Sequence, residues 1–329
     1  MDGTGGRDLP GTTRPDRRLT VNANAFRGRL RRPARSFPWV APPWPDSVAR
    51  PPAERTLGID YDTTWARRYP WRLARLALTE AVTTPVMAAL AHPRVAGLDR
   101  IAHLRGPVVF AANHASHLDT PLLLSILPEP WRHRTVVAAG ADYFFDTRLK
   151  AVMSSLAINA IPIERTRVNR ASAERAADLL DAGWSLLIFP EGGRSPDGWA
   201  QPHRAGWARL GVRTGRPIVP IHVQGTDLIL PRHATRLRPG STRITFGRPI
   251  HSEEGGDARQ LAARLEQAVT TLADEGATDW WTATRRAAAR ISPALTGPEG
   301  VSSWRRTWAL GDRRRATGKR RGHERRWPS

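Results

Sequence analysis

A histidine and an aspartate stand five residues apart in the run Asn113-His114-Ala115-Ser116-His117-Leu118-Asp119. Imidazole titrates near neutral pH, so His114 can take a proton from a hydroxyl. It then needs a partner that fixes its tautomer and stabilises the imidazolium as it forms. A tight loop can bring Asp119 to one ring nitrogen, giving the base–orienter pair of a serine protease without a protein serine. The nucleophile would be the substrate's own hydroxyl. Taken alone, a His and an Asp at this spacing are more often surface or helix-cap residues. A metal site on His114, His117 and Asp119 is a weaker reading, because no downstream His/Asp cluster completes a ligand set.

A second run, Phe189-Pro190-Glu191-Gly192-Gly193-Arg194-Ser195, suits an anion. Two glycines let backbone N–H groups approach a ligand closely, and Arg194 adds a planar fork of donors that matches phosphate. An ordinary glycine-rich turn beside a surface arginine has the same composition. A P-loop is excluded, because no Gly-Lys-Ser/Thr occurs. Ile161-Pro162-Ile163-Glu164-Arg165 and Arg216-Pro217-Ile218-Val219-Pro220-Ile221 are apolar runs that say little separately.

These runs need rigid elements to hold them. From Gly106 to about Ala277, short β-branched runs alternate with helical ones. Strands are predicted over Pro107–Ala112, Thr135–Ala139, Ala160–Ile163, Ser185–Phe189, Ile218–His222 and Arg243–Phe246. Helices are predicted over Thr120–Leu127, Arg148–Ala157, Ser172–Ala182 and Asp257–Glu275. Both chemical runs therefore follow strands, the exposed and rigid place to mount a reacting group. The fold class is α/β, a mixed and largely buried sheet flanked by helices.

In this order the four segments resemble the glycerolipid acyltransferase family that includes 1-acylglycerol-3-phosphate acyltransferases. Its Asn-His-x-Ser-x-x-Asp motif is matched at Asn113, His114, Ser116 and Asp119. Its Phe-Pro-Glu-Gly-Thr-Arg-Ser motif is matched at Phe189, Pro190, Glu191, Gly192, Arg194 and Ser195, with Gly193 in place of the usual Thr. Arg165 fits the arginine that ends the second motif, and Val219-Pro220 fits the fourth. The resemblance covers roughly residues 70–275. It implies His114 as the base and Asp119 as its orienter. It implies Arg165 and Arg194 as ligands of an acceptor phosphate, with Glu191, Gly192 and Ser195 shaping the acceptor site. It implies transfer of an acyl group from acyl-CoA or acyl carrier protein to 1-acylglycerol 3-phosphate (lysophosphatidic acid), giving phosphatidic acid. No cofactor or metal is expected, since the thioester is already activated. Gly193 removes a hydroxyl and loosens the loop, so glycerol 3-phosphate, another lysophospholipid or a glycolipid stay open as acceptors. A non-catalytic membrane-binding protein is the rival from another class, and intact His114 and Asp119 argue against it.

The 329 residues carry 51 Lys+Arg against 30 Asp+Glu, a net charge of +21, which points to anionic partners. An Arg-, Ala-, Gly- and Pro-rich chain is also what a GC-rich genome writes, so charge alone assigns nothing. The absence of cysteine excludes disulfides, thiolate catalysis and zinc fingers. Residues 1–62, rich in Pro and Arg, read as a disordered extension, and Arg17-Arg18 lacks the apolar run of a secretion signal. Residues 63–92 interleave Trp65, Tyr69 and Trp71 with arginines and then turn aliphatic. Pro70 and Pro85 bracket a helical segment there that suits a membrane interface, and because the chain has no stretch of 18 uncharged apolar residues a simple transmembrane helix is not expected. The catalytic domain is assigned to 93–277 and a Trp/Arg-rich basic tail to 278–329. Expected partners are the lipid acceptor, the thioester donor and an anionic membrane surface, with peripheral attachment to the cytoplasmic side of the cell membrane; nucleic acid is not expected.

Overall fold

A computed structural model describes residues 57–164, 170–195, 198–231, 236–251 and 256–296. Strands β1 (Pro93–Ala96), β2 (Val109–Ala112), β3 (Thr135–Gly140), β4 (Ala160–Ile163), β5 (Ser185–Ile188), β6 (Ile218–Gln224) and β7 (Thr242–Phe246) form one sheet in the order β1-β7-β6-β2-β5-β3-β4. β2 to β6 run parallel, and β7 turns antiparallel to β6, with β1 parallel to β7. The expected mixed, buried sheet is what forms. Because β2 and β5 are parallel neighbours, Ala111 pairing with Ile188, the runs that follow them emerge side by side at one edge.

Alternation along each strand divides the core into two layers. Phe110, Ala112, Leu187, Val219 and Ile221 face helix α1 (Trp71–Ala91) and helix α2 (Asp119–Ile126), where Met87, Ala91, Leu122 and Leu123 meet them. Helix α3 (Arg148–Ile158) leads back from β3 to β4. Val109, Ala111, Leu186, Ile188 and Ile218 face α4 (Arg170–Asp181), α5 (Ala205–Thr214) and α6 (Ala258–Ala277), through Leu180, Trp207, Leu210, Leu261 and Leu265. Each large side chain buried here contributes about 1.5–3 kcal/mol. Arg100 ties the loop after β1 to α6 with a bidentate pair to Glu275 at 2.7 and 3.0 Å.

Several boundaries differ from the sequence expectation. Pro85 does not end the first helix. A π turn over Thr79–Thr83, with the Thr84 N–H donating to Thr79 O, absorbs the shift in hydrogen bonding before the proline, and the helical run continues to Ala91. That run has a mean hydropathy of 1.3 and is long and apolar enough to cross a membrane, against the sequence expectation. Arg75, Thr79, Met87 and Ala91 nevertheless pack its inner side onto the domain, leaving Trp71, Leu73, Leu76, Val82 and Val86 exposed. Ordered chain starts before residue 63: Gly58 N–H donates to Phe145 O, and Tyr61 packs on the Phe145 ring. It also continues past 277. Helix α7 (Trp280–Ala288), capped by Asp279, buries Ala283 and pairs Arg286 with Asp274 at 2.8 Å. Residues 1–56 and 301–329, to which most of the two extensions belong, lie outside the described residues.

Candidate active site

β2 delivers the first chemical run to the sheet edge. The Asn113 side chain imitates a peptide group there: its Nδ2 donates to Val223 O at 2.9 Å, and Val223 N–H donates to its Oδ1 at 2.7 Å. This locks the turn to β6. The next residue, His114, places Nδ1 2.8 Å from Asp119 Oδ2. The same oxygen accepts from Ala115 N–H at 2.7 Å and Ser116 N–H at 2.8 Å. Asp119 Oδ1 accepts a short hydrogen bond from the Thr226 hydroxyl. Asp119 is fully buried at the first turn of α2, where the helix dipole favours its charge. Four donors thus hold one carboxylate. With Nδ1–H donating to Asp119, the lone pair of the His114 ring lies on Nε2. The Phe189 ring stacks on the imidazole, 4.0 Å between centroids and 20° between planes.

The His114 ring lines a cavity of about 300 Å³. Val137, Ala139, Phe144, Ile158, Ile163 and Trp207 make its walls apolar, and Gly192 and Gly193 bring backbone to its mouth. Gly192 sits at φ +76°, and a Cβ there would come 2.5 Å from Arg204 Nε, so only glycine fits. At Gly193 a Cβ would meet nothing within 4 Å, so the residue leaves open space beside the imidazole.

Glu191 sits under the first chemical run. It is 4% exposed, and its two carboxylate oxygens accept from the backbone N–H groups of His114 at 3.0 Å and Gln201 at 2.9 Å. It braces the two loops against each other, a positioning role. Ser195 does likewise: it is buried, its N–H donates to His114 O at 3.0 Å, and its Oγ accepts from Gly198 N–H at 2.7 Å. Arg194 is half-buried between them, on the loop that lines the cavity. Arg165 lies outside the described residues.

Burial pushes the Glu191 carboxyl up to about 7, over the opposing pull of its two N–H donors; the Asp119 and Glu266 charges add to the rise. A carboxyl raised in the folded state stabilises the fold fully below its unfolded value near 4.5, and loses that contribution as pH rises through about 7. A Glu191→Gln protein lacks this titration. Its stability deficit relative to the parent chain should therefore shrink between pH 5 and pH 8, by up to about 3 kcal/mol. Urea midpoints of both proteins across that range measure it; a deficit independent of pH would show that Glu191 does not titrate there.

Thr226, from the short helical turn Thr226–Ile229 after β6, is the site residue that sequence reasoning misses. It reaches Asp119 across 107 positions, and nothing local marks it. The His117–Tyr143 stack at the cavity wall, 5.4 Å between centroids, is invisible for the same reason.

Residues 92–224, which span β2, β5 and both chemical runs, match the family model described as Acyltransferase. Similar proteins include the chloroplastic 1-acyl-sn-glycerol-3-phosphate acyltransferase BAT2 of Brassica napus, 29% identical over 171 residues, 49% of this chain and 45% of that protein. The 1-acyl-sn-glycerol-3-phosphate acyltransferase alpha of Homo sapiens is 28% identical over 181 residues, 53% of this chain and 61% of that one. The chain thus spans about half the length of the curated relatives it matches. A solved structure, the 1-acyl-sn-glycerophosphate acyltransferase PlsC of Thermotoga maritima, aligns with a TM-score of 0.47 at 22% identity, covering 65% of this chain and 83% of that one.

Proposed function

We propose that this acyltransferase domain moves a fatty acyl group from a thioester donor, acyl-CoA or acyl carrier protein, to the free hydroxyl of 1-acylglycerol 3-phosphate. The observation that carries the reading is the His114–Asp119 pair at 2.8 Å with its imidazole set in the wall of an apolar cavity. His114 Nε2 takes the proton of the acceptor hydroxyl. The oxygen attacks the thioester carbonyl, the tetrahedral intermediate collapses, and the departing thiolate takes the proton back from His114. The products are an ester and a free thiol. Asp119 stabilises the imidazolium in between, and no cofactor enters the balance. The apolar cavity suits an acyl chain, and the Gly192–Gly193 backbone with Arg194 suits the acceptor phosphate. The relatives' names support lysophosphatidic acid as the acceptor.

Transfer of labelled acyl groups from acyl-CoA to lysophosphatidic acid by the purified chain tests the reaction. A panel with glycerol 3-phosphate, other lysophospholipids and a glycolipid tests the acceptor. Within that assay Arg194→Lys, which keeps a charge but loses the planar fork, should raise KM for lysophosphatidic acid severalfold more than KM for the donor. An equal change in both would take Arg194 out of the phosphate site.

We also propose peripheral attachment to an anionic membrane surface at the cytoplasmic side of the cell membrane; the exposed apolar side of α1 supports the interfacial part of this reading. Its inner side is committed to the domain, so the helix is suited to lie in the interface with Trp71, Leu73, Leu76, Val82 and Val86 outward.

A further inference from the structure

The start of α1 holds a second basic site, on the opposite edge of the sheet from His114. Its neighbours His133 and Trp184 precede β3 and β5, whereas His114 and Glu191 follow β2 and β5. A cavity of about 150 Å³ opens there between Tyr69, Arg72, Leu73, Arg75, Leu76 and His133. Arg75 is 7% exposed. Its Nη1 donates to Ala66 O at 2.7 Å, while its buried Nη2 has no acceptor among the described residues. Among the described residues, no carboxylate pairs with this guanidinium. Arg67 and Arg72 are close enough that their charges, after burial, help to pull its pKa down to about 10. Two arginines, Arg72 and Arg75, at one cavity, the second with an unused buried donor, favour an anion.

The surroundings decide which anion. Tyr69 is 78% exposed, and Leu73 and Leu76 are 49% and 40% exposed around the opening, with Trp71, 45% exposed, on the same turn of the helix. An apolar and aromatic rim about a basic pocket fits a ligand that is a phosphate at one end and hydrocarbon at the other, and Trp and Tyr favour the headgroup level of a bilayer. The geometry points to a binding pocket for the headgroup phosphate of an anionic phospholipid, formed by Arg72 and Arg75, that orients α1 on the membrane and is separate from the acceptor site. Nearby carboxylates do not fill it: Glu80 is engaged by Arg132 at 3.1 Å and His133 at 2.9 Å, and Glu129 by His133 at 3.1 Å. The inference rests on the interfacial reading of α1, and the two fail differently.

The test is sedimentation of the full chain with phosphatidylcholine vesicles, with and without phosphatidylglycerol, at a salt concentration that screens exposed basic segments. Arg72→Gln should lose about fivefold of the preference for anionic vesicles, as expected for roughly 1 kcal/mol per basic contact, and Arg75→Lys, which keeps the charge but loses the Nη2 donor, should lose a smaller part of it, with binding to neutral vesicles retained in both. Leu73→Ser with Leu76→Ser should weaken binding to both kinds. Transfer to a soluble short-chain acceptor should be unchanged in Arg72→Gln. Inorganic phosphate should compete better than chloride at equal ionic strength; competition without any vesicle preference would make the ligand free phosphate and overturn the lipid assignment. Parent-like anionic preference in folded Arg72→Gln and Arg75→Lys proteins would overturn the pocket. If the double serine variant binds vesicles like the parent, the interfacial reading of α1 falls instead, and the pocket with it.

Discussion

His114→Ala should keep the parent's melting temperature to within a few degrees and slow acyl transfer about 10²–10⁴-fold. Folding should survive because the side chain is not what holds the loop. Asp119 keeps its acceptor bonds from Ala115 N–H, Ser116 N–H and the Thr226 hydroxyl, and Glu191 still binds the residue-114 backbone N–H. What disappears is the ring nitrogen proposed to take the hydroxyl proton, together with the stack on Phe189. His117 should not substitute, since its ring is held in a stack on Tyr143. Rate and melting temperature measured on the same preparation separate the two effects. A folded His114→Ala protein with near-parent turnover would end the assignment.

Asp119→Ala should damage both quantities. It removes one carboxylate from a fully buried position and strands two backbone N–H groups and the Thr226 hydroxyl. Unsatisfied buried donors of this kind cost about 1–3 kcal/mol each, partly relieved by rearrangement, so stability should fall by about 2–5 kcal/mol. The rate should fall by about 10²–10⁴ as well, because His114 loses its orientation and its counter-charge. Asp119→Asn divides these roles. An amide oxygen can still accept the loop N–H groups and its NH₂ can face the Thr226 oxygen, so most of the stability should return. The rate should stay low, since a neutral amide does not stabilise an imidazolium. An Asn variant with parent turnover would leave Asp119 a purely structural residue.

The elements most legible in the sequence were those whose own residues carry the signal. The apolar runs at Ser185–Ile188 and Ala160–Ile163 are buried on both faces and therefore read as strands without partners being known. Leu261, Leu265, Val269 and Leu272 mark α6 by spacing alone, and all four are buried. β1 left no such signal. Three of its four residues are exposed, and it is a strand only because β7 supplies its hydrogen bonds. α5 was equally hidden: Gly206 and Gly211 weaken its intrinsic preference, and burial of Trp207, Ala208 and Leu210 against the sheet makes it a helix.

The candidate site divides along the same line. Residue types and short spacing determined the chemistry by themselves: a histidine and an aspartate five apart after a strand, and two glycines beside an arginine after another. Tertiary structure decided how the two runs meet and what each member does. Parallel pairing of β2 with β5 sets Glu191 under the His114 backbone, and so makes it a brace of the first run, a role its type alone does not show. The β6 chain brings Val223 to Asn113 and, just beyond it, Thr226 to Asp119. Side-chain identity is written at each position of the chain, whereas a hydrogen bond between residues 107 positions apart exists only once the sheet has closed the distance.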